Sequence, residues 1–207
     1  MNLTSKRDVL KKIYQPLGLS LAYFNVPPNV VTLFSIIAGV FSAYAFYTHH
    51  VLTGATLLAI SGLLDLADGI VARETDRATK FGAVLDWVAD KFIDGLVLGA
   101  VAVAYATPWV AIVLITVNML HTFIKPIAYS EIGFSQREKG KIWDPLEGVG
   151  FFGRPETHLA VIVFAILERF VNGALTLGVY FILLMTTLSL LQRIFYLYKN
   201  YGRDYDL

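Results

Sequence analysis

The sequence predicts an all-α integral membrane protein with six transmembrane helices, preceded by an amphipathic interfacial helix. Hydrophobic residues make up 56% of the 207 residues and charged residues only 16%, whereas soluble domains carry about 25% charged residues. The apolar residues form runs long enough to cross a bilayer. Lysine and arginine are concentrated in alternate loops, which is typical of a polytopic membrane protein.

The interfacial segment is predicted to occupy residues 1–26. Its basic residues, Lys6, Arg7, Lys11 and Lys12, are interleaved with apolar ones, a pattern that favours a helix lying on anionic lipid. Pro27-Pro28-Asn29 then begins the first span, because proline suits a helix start. We expect a six-helix catalytic domain over 27–199 and a polar tail over 200–207. The predicted spans are 30–47, 51–73, 81–106, 108–133, 154–167 and 175–198, with a polar stretch at 135–153.

The distribution of basic residues predicts the orientation in the membrane. Lysine and arginine occur in the N-terminal segment, the second and fourth loops between spans, and the tail. The first and third loops have none, and the fifth has only Arg169. By the positive-inside rule, both termini and the second loop face the cytoplasm. The sequence therefore places the protein in the cytoplasmic membrane with its acidic cluster accessible from the cytoplasm.

Four aspartates near the facing ends of the second and third spans form the candidate site. Asp65 and Asp68 are three residues apart, and Asp86 and Asp90 are four apart, so each pair shares a helix face. Such carboxylates are costly at membrane depth unless a cation shares their charge. Oxygen ligands favour Mg²⁺ or Mn²⁺, and four carboxylates suit a pair of ions, as in two-metal phosphoryl transfer. Helix capping would explain one or two of these aspartates, but not four at this spacing.

The spacing Asp-x2-Asp-Gly-x2-Ala-Arg-x8-Gly-x3-Asp-x3-Asp, which runs from Asp65 to Asp90, resembles the signature of the CDP-alcohol phosphatidyltransferase family. This resemblance implies transfer of a phosphoryl-alcohol group from a CDP-alcohol to an acceptor hydroxyl, with release of CMP. It implies that Asp86 and Asp90 are catalytic, and that Asp90 accepts the acceptor's proton. The implied metal ligands are Asp65, Asp68, Asp86 and Asp90, and the implied nucleotide-binding residues are Asp65, Gly69, Arg73, Thr79 and Gly82.

Three cations near the cytoplasmic ends of the later spans suggest an acceptor that bears a phosphate. They are Lys125, Arg154 and Arg193; snorkelling to the interface would explain any single one. Their positions resemble the branch of phosphatidylinositol-phosphate and archaetidylinositol-phosphate synthases, which implies inositol 1-phosphate as acceptor and a CDP-lipid as donor. Asn29 and Thr32 match a Pro-Asn-x-x-Thr start of the family's first span. They are assigned to phosphate binding, with helix capping as the other interpretation.

Several alternatives remain open at this stage. The same chemistry could use glycerol 3-phosphate as acceptor, or CDP-inositol as donor to make di-inositol phosphates. A divalent-cation transporter would also use buried aspartates, but it gives no role to Gly69, Arg73 or Gly82. Aspartate-rich prenyl-transferring enzymes generally have more spans.

The expected partners are a CDP-alcohol, a phosphorylated polyol and membrane lipid, with no nucleic acid. Small residues in the third and fourth spans permit close helix packing, either within one chain or between the two chains of a homodimer. Asp94 continues the helix face of Asp86 and Asp90. We expect it to pair with a polar neighbour rather than to bind metal.

Overall fold

A computed structural model describes residues 7–132, 137–138, 141–142, 146 and 148–202. These residues form seven helices and one two-residue strand pair. The elements are α1 (Arg7–Tyr23), α2 (Pro28–Tyr47), α3 (Val51–Glu74), α4 (Lys80–Tyr105), α5 (Pro108–Glu131), β1 (Arg137–Glu138), β2 (Lys141–Ile142), α6 (Arg154–Glu168) and α7 (Ala174–Tyr201). The side chains of residues 1–13, with the four basic residues of the predicted interfacial segment, and the tail beyond Gly202 lie outside this description.

The predicted helical fold is confirmed, and the strand pair is an addition to it. Strands β1 and β2 pair antiparallel, with Arg137 opposite Ile142 and Glu138 opposite Lys141. They lie within the polar stretch predicted between the fourth and fifth spans. Two residues per strand are too few to show an alternating apolar pattern, so no sequence pattern indicated them.

Four of the described helices, α2, α3, α5 and α7, are long and apolar enough to cross a membrane. Helix α4 has 26 residues, but its first 15 residues carry three aspartates and two lysines. Helix α6 has 15 residues, which corresponds to about 22 Å at 1.5 Å per residue. Length and composition therefore indicate an all-α integral membrane protein, with α4 and α6 as its two atypical helices.

Helix α2 packs against both α3 and α4 and so fixes their separation. Ser35 of α2 donates to the Ser61 carbonyl oxygen at 2.8 Å, and Ser61 of α3 donates to the Ser35 carbonyl oxygen at 2.9 Å. On the other side, a Cβ added to Gly39 would lie 2.8 Å from Cγ1 of Ile93 in α4. Small residues thus allow close contact between these helices.

The apolar core lies at one end of the bundle. It is built from the second halves of α2, α4 and α6 and the first halves of α3, α5 and α7, and its largest buried side chains include Phe46, Leu58, Ile93, Leu98, Leu114, Leu175 and Ile182. The opposite ends of these helices carry the aspartates and the cations. Packing of the apolar end therefore holds the polar ends of the helices next to one another. The candidate site is formed at these polar ends.

Candidate active site

Helices α3 and α4 bring three of the four predicted aspartates into one cluster. Asp65, Asp86 and Asp90 each present a carboxylate oxygen, and these oxygens all lie within 4.8 Å of one another. Asp68 lies one turn after Asp65, outside that trio, and it is repelled electrostatically by Asp86 and Asp65. The expectation that the two segments converge is therefore met, with Asp68 at the border of the cluster.

Asp68 is held by the hydroxyl of Thr32. Both residues are buried, with exposed fractions of 4% for Thr32 and 5% for Asp68. Thr32 Oγ1 lies 2.6 Å from Asp68 Oδ2 and 3.2 Å from the carbonyl oxygen of Pro28. The hydroxyl has one proton, and the shorter contact to the carboxylate takes it. This contact ties the start of α2 to the face of α3 that carries the predicted metal ligands.

The start of α4 forms one edge of the site. Thr79 is the N-cap of α4, and its hydroxyl accepts a hydrogen bond from the Gly82 backbone N–H at 2.9 Å. A Cβ added at Gly82 would lie 3.1 Å from Thr79 Oγ1 and 3.7 Å from Asn29 Oδ1, so the predicted nucleotide-binding residues Thr79 and Gly82 adjoin Asn29. In α3, a Cβ on Gly69 would lie 3.4 Å from an Nη atom of the exposed Arg73.

Arg154, the first residue of α6, contacts the aspartate cluster directly. Its Nη1 lies 2.7 Å from Asp65 Oδ2 and 2.8 Å from Asp90 Oδ1. Its Nε donates to Asp94 Oδ1 at 3.0 Å. The preceding turn is fixed because the Gly153 backbone N–H donates to Glu156 Oε2 at 3.0 Å. One of the three predicted phosphate-binding cations thus lies among the predicted metal ligands.

Of the other two predicted cations, Arg193 contacts α5 and the segment before α6. Arg193 of α7 is buried; its Nε donates to the Val149 carbonyl oxygen at 3.1 Å, and its Nη1 to the His121 carbonyl oxygen at 2.6 Å. These bonds fasten the segment before α6 to α5 and α7. Lys125 is half-buried on α5. The described contacts of Arg193 therefore give it a role in positioning the loop that leads into Arg154.

Sequence reasoning missed two groups of residues. His158 and Lys91 contact Asp94, and His121 contacts Ser189. Asp94, expected to pair with a polar neighbour, does so with Arg154, with His158 and with Lys91. His121 and Ser189 were also missed: His121 Nε2 and Ser189 Oγ are 3.0 Å apart. The available signal was spacing alone, because His158 lies four residues after Arg154 on the same helix face.

The chemistry of the cluster fits a hard divalent cation. All the candidate donors are carboxylate oxygens, the ligands that Mg²⁺ and Mn²⁺ prefer. Oδ1 of Asp65 is buried and accepts no hydrogen bond from any described residue. A buried acceptor left without a partner costs about 1–3 kcal/mol, which an ion bound at this oxygen would relieve. The residues present are therefore suited to hold such an ion.

Comparison with known proteins settles which family has this arrangement. The family described as CDP-alcohol phosphatidyltransferase matches residues 25–191. The chain belongs to the CDP-alcohol phosphatidyltransferase family. The match runs from the turn before α2 into α7 and covers both aspartate-bearing helices. This CDP-alcohol phosphatidyltransferase is therefore a phosphotransferase of phospholipid synthesis, as the signature between Asp65 and Asp90 predicted.

Individual relatives are similar to this CDP-alcohol phosphatidyltransferase over nearly their whole length. It is 23% identical to the archaetidylinositol phosphate synthase of Pyrococcus horikoshii over 193 residues, which are 93% of this chain and 95% of that one. The crystal structure of Mycobacterium tuberculosis phosphatidylinositol phosphate synthase with CDP-DAG bound matches with a TM-score of 0.72 and 25% identity, covering 92% of this chain and 96% of that one.

A second structure of that mycobacterial enzyme, in complex with manganese and citrate, shares the fold. It matches with a TM-score of 0.72 and 24% identity, covering 91% of this chain and 90% of that one. A relative of the same fold therefore holds a divalent ion of the kind that the carboxylate cluster is suited to bind.

Proposed function

We propose that this enzyme transfers a phosphatidyl or archaetidyl group from a CDP-lipid to a phosphorylated polyol, inositol 1-phosphate, and releases CMP. One observation carries the proposal: the carboxylates of Asp65, Asp86 and Asp90 converge within 4.8 Å, and Arg154 reaches them from α6. Such a site combines ligands for divalent ions with a cation for a phosphate group. The names of the relatives support inositol phosphate as the acceptor.

An apolar cavity beside the site supports a lipid donor. Its volume is about 510 Å³, and its lining is almost entirely apolar. The lining residues come from α1, α2 and α3 and the turn before α2, and include Leu21, Val26, Phe34, Phe41, Ile60 and Leu64. Leu64 immediately precedes Asp65 in α3. A CDP-lipid could place a hydrocarbon chain in this cavity while its diphosphate lies at the aspartates.

Arg154 supports an acceptor that carries a phosphate. Its Nη2 is buried and has no hydrogen-bond partner among the described residues. A guanidinium binds phosphate through two parallel N–H groups, so this nitrogen is available beside the aspartate cluster. Lys125 would supply a second cation for the acceptor phosphate, and Asn29 at the start of α2 would also contact this phosphate. Thr32 and Arg193 are better explained as positioning Asp68 and the loop before α6.

The reaction would proceed by attack of the acceptor hydroxyl on the lipid-bearing phosphorus of the donor. A new P–O bond forms, the bond to the CMP phosphate breaks, and Asp90 takes the hydroxyl proton. Bound Mg²⁺ or Mn²⁺, two ions in our proposal, would neutralise charge on the transferring phosphoryl group. Asp65, Asp68, Asp86 and Asp90 would hold these ions. Gly69, Arg73, Thr79 and Gly82 line the nucleotide side, where Arg73 offers its guanidinium to a phosphate.

We further propose that α4 and α6 join α2, α3, α5 and α7 as spans, within a catalytic unit of residues 27–199. Helix α4 is long enough to cross, and its polar residues Asp90, Asp94 and Lys91 are engaged or half-buried inside the bundle. Six spans place both termini on one side, and the basic loops make that side cytoplasmic. Soluble CMP would then be released directly into the cytoplasm.

The experiment incubates the purified enzyme with CDP-diacylglycerol or its archaeal ether-lipid analogue and Mg²⁺ or Mn²⁺. Inositol 1-phosphate, glycerol 3-phosphate or no acceptor is added, and a further reaction replaces the lipid donor with CDP-inositol. Release of CMP and the mass of the product are measured. We expect CMP release and a phosphorylated inositol lipid with inositol 1-phosphate. Failure to release CMP in every reaction, together with Mn²⁺ flux in proteoliposomes, would favour a cation transporter instead.

A further inference from the structure

Asp94 lies outside the family signature, yet the side chains of Arg154, His158 and Lys91 all contact it. It is 4% exposed. Its Oδ1 lies 3.0 Å from Arg154 Nε and 2.9 Å from His158 Nε2, and its Oδ2 lies 3.4 Å from Lys91 Nζ. Both oxygens of this carboxylate are therefore occupied by contacts with side chains of the protein. Asp94 is therefore suited to hold its neighbours in place rather than to bind a ligand.

The guanidinium of Arg154 is divided between three kinds of contact. Its Nε is on Asp94, its Nη1 is on both Asp65 and Asp90, and its Nη2 is buried with no hydrogen-bond partner among the residues that the structure describes. The group is planar and rigid. If Nε stays on Asp94, the two Nη atoms can change partners by a small rotation without losing the anchor.

A cation at the cluster and Nη1 of Arg154 compete for the same carboxylates. Nη1 lies 2.7 Å from Asp65 and 2.8 Å from Asp90, and these are two of the three residues whose carboxylates converge. An ion bound to them would also repel the positively charged guanidinium. Ion binding therefore favours the departure of Nη1, whereas the contact between Nε and Asp94 can remain.

We propose that Asp94 and His158 are positioning residues that anchor Arg154 while its Nη1 moves from Asp65 and Asp90 to the acceptor phosphate. One guanidinium then serves two partners in turn. It neutralises the aspartates before divalent ions bind, and it binds the acceptor after they have bound. The second half of this exchange rests on the proposed function, but the first half concerns only the aspartates and the ion.

The first half is tested by titrating the purified full-length protein with Mn²⁺ and following free Mn²⁺ by electron paramagnetic resonance. Arg154→Gln removes the competing charge while keeping much of the side-chain volume. We expect this variant to bind Mn²⁺ about tenfold more tightly than the wild type. Glu168→Gln is the matched control, because Glu168 accepts hydrogen bonds from Gly173 N and Leu175 N at the start of α7, away from the cluster. Equal or weaker Mn²⁺ binding by Arg154→Gln would overturn the exchange.

The second half is tested by steady-state kinetics of Asp94→Asn and His158→Leu with inositol 1-phosphate as the acceptor. We expect the KM for the acceptor to rise about tenfold in each variant, while kcat and the KM for CDP-diacylglycerol stay within about threefold. A merely structural role would lower kcat and affect both substrates. A lowered kcat with effects on both substrates, or an unchanged KM for the acceptor, would refute the positioning role. If Asp94→Asn does not fold, the kinetics of His158→Leu alone test this role. Absence of turnover in the wild type would instead contradict the proposed function, and the Mn²⁺ titration would still decide the exchange.

Discussion

The hydroxyl of Thr32 should control how well Asp68 serves the metal site. Thr32→Val replaces the hydroxyl with a methyl group of similar size, so packing between α2 and α3 is preserved. The bond that is lost joins Thr32 Oγ1 to Asp68 Oδ2 at 2.6 Å, and both residues are buried. Asp68 would lose the donor that fixes its orientation.

The magnitude follows from the kind of bond. A hydrogen bond to a charged group contributes about 1.5–3 kcal/mol, which corresponds to about 10- to 150-fold in an equilibrium constant. Loss of a residue that orients a metal ligand typically costs about 10- to 100-fold in metal affinity or activity. The two estimates overlap, so we expect Thr32→Val to weaken Mn²⁺ binding and kcat/KM by about 10- to 100-fold.

Two measurements and one control test this prediction. Mn²⁺ affinity is measured by electron paramagnetic resonance, and CMP release is measured at saturating Mn²⁺. Thr32→Ser keeps the hydroxyl and should remain within about threefold of the wild type. If Thr32→Val retains wild-type Mn²⁺ affinity and activity, Asp68 does not depend on this bond. If Thr32→Val raises only the KM for the acceptor, Thr32 contacts the acceptor phosphate, as the sequence first suggested.

Three further predictions concern the cluster and the loop before α6. Removal of divalent ions with EDTA should abolish CMP release, and Mg²⁺ or Mn²⁺ should restore it; activity that persists in EDTA would exclude the metal-dependent mechanism. Asp90→Asn should lower kcat at least about 100-fold, whereas Asp76→Asn, in the exposed turn after α3, should leave CMP release near the wild-type level. Gly150→Ala should lower the unfolding temperature more than Gly148→Ala does. Both residues have positive φ, but only at Gly150 would a Cβ meet a neighbour, 2.6 Å from Arg193 Nε; equal shifts would show that backbone strain of about 1–3 kcal/mol is the whole effect.

The helices could be predicted because their limits are set locally. Proline at the first position of α2 and of α5 begins each helix where the sequence indicated. The second span was predicted over 51–73, and α3 runs over Val51–Glu74. The limits of a long apolar helix can be read from the proline or polar turn residues next to it in the sequence. The convergence of the aspartates was also predictable, since their spacing alone placed them on matching helix faces.

The partners of the aspartates could not be predicted, because they come from distant parts of the chain. Arg154 lies 89 residues from Asp65, and His158 lies 64 residues from Asp94. No spacing rule relates α6 to α3 and α4, and only the packed bundle brings them together. The same reason explains Thr32, whose sequence position suggested phosphate binding or capping. Its contact with Asp68 depends on how α2 packs against α3.

The shortness of α6 affects how substrates approach the enzyme. Its 15 residues extend about 22 Å, whereas the hydrocarbon layer is about 30 Å thick. With its far end at the outer boundary of the hydrocarbon layer, a spanning α6 would place Arg154 about 8 Å below the inner boundary of that layer. The reaction would then take place in a water-filled depression of the bilayer. A polar sugar phosphate would enter this depression from the aqueous phase. The lipid donor would enter laterally from the bilayer, with little displacement of its headgroup along the membrane normal.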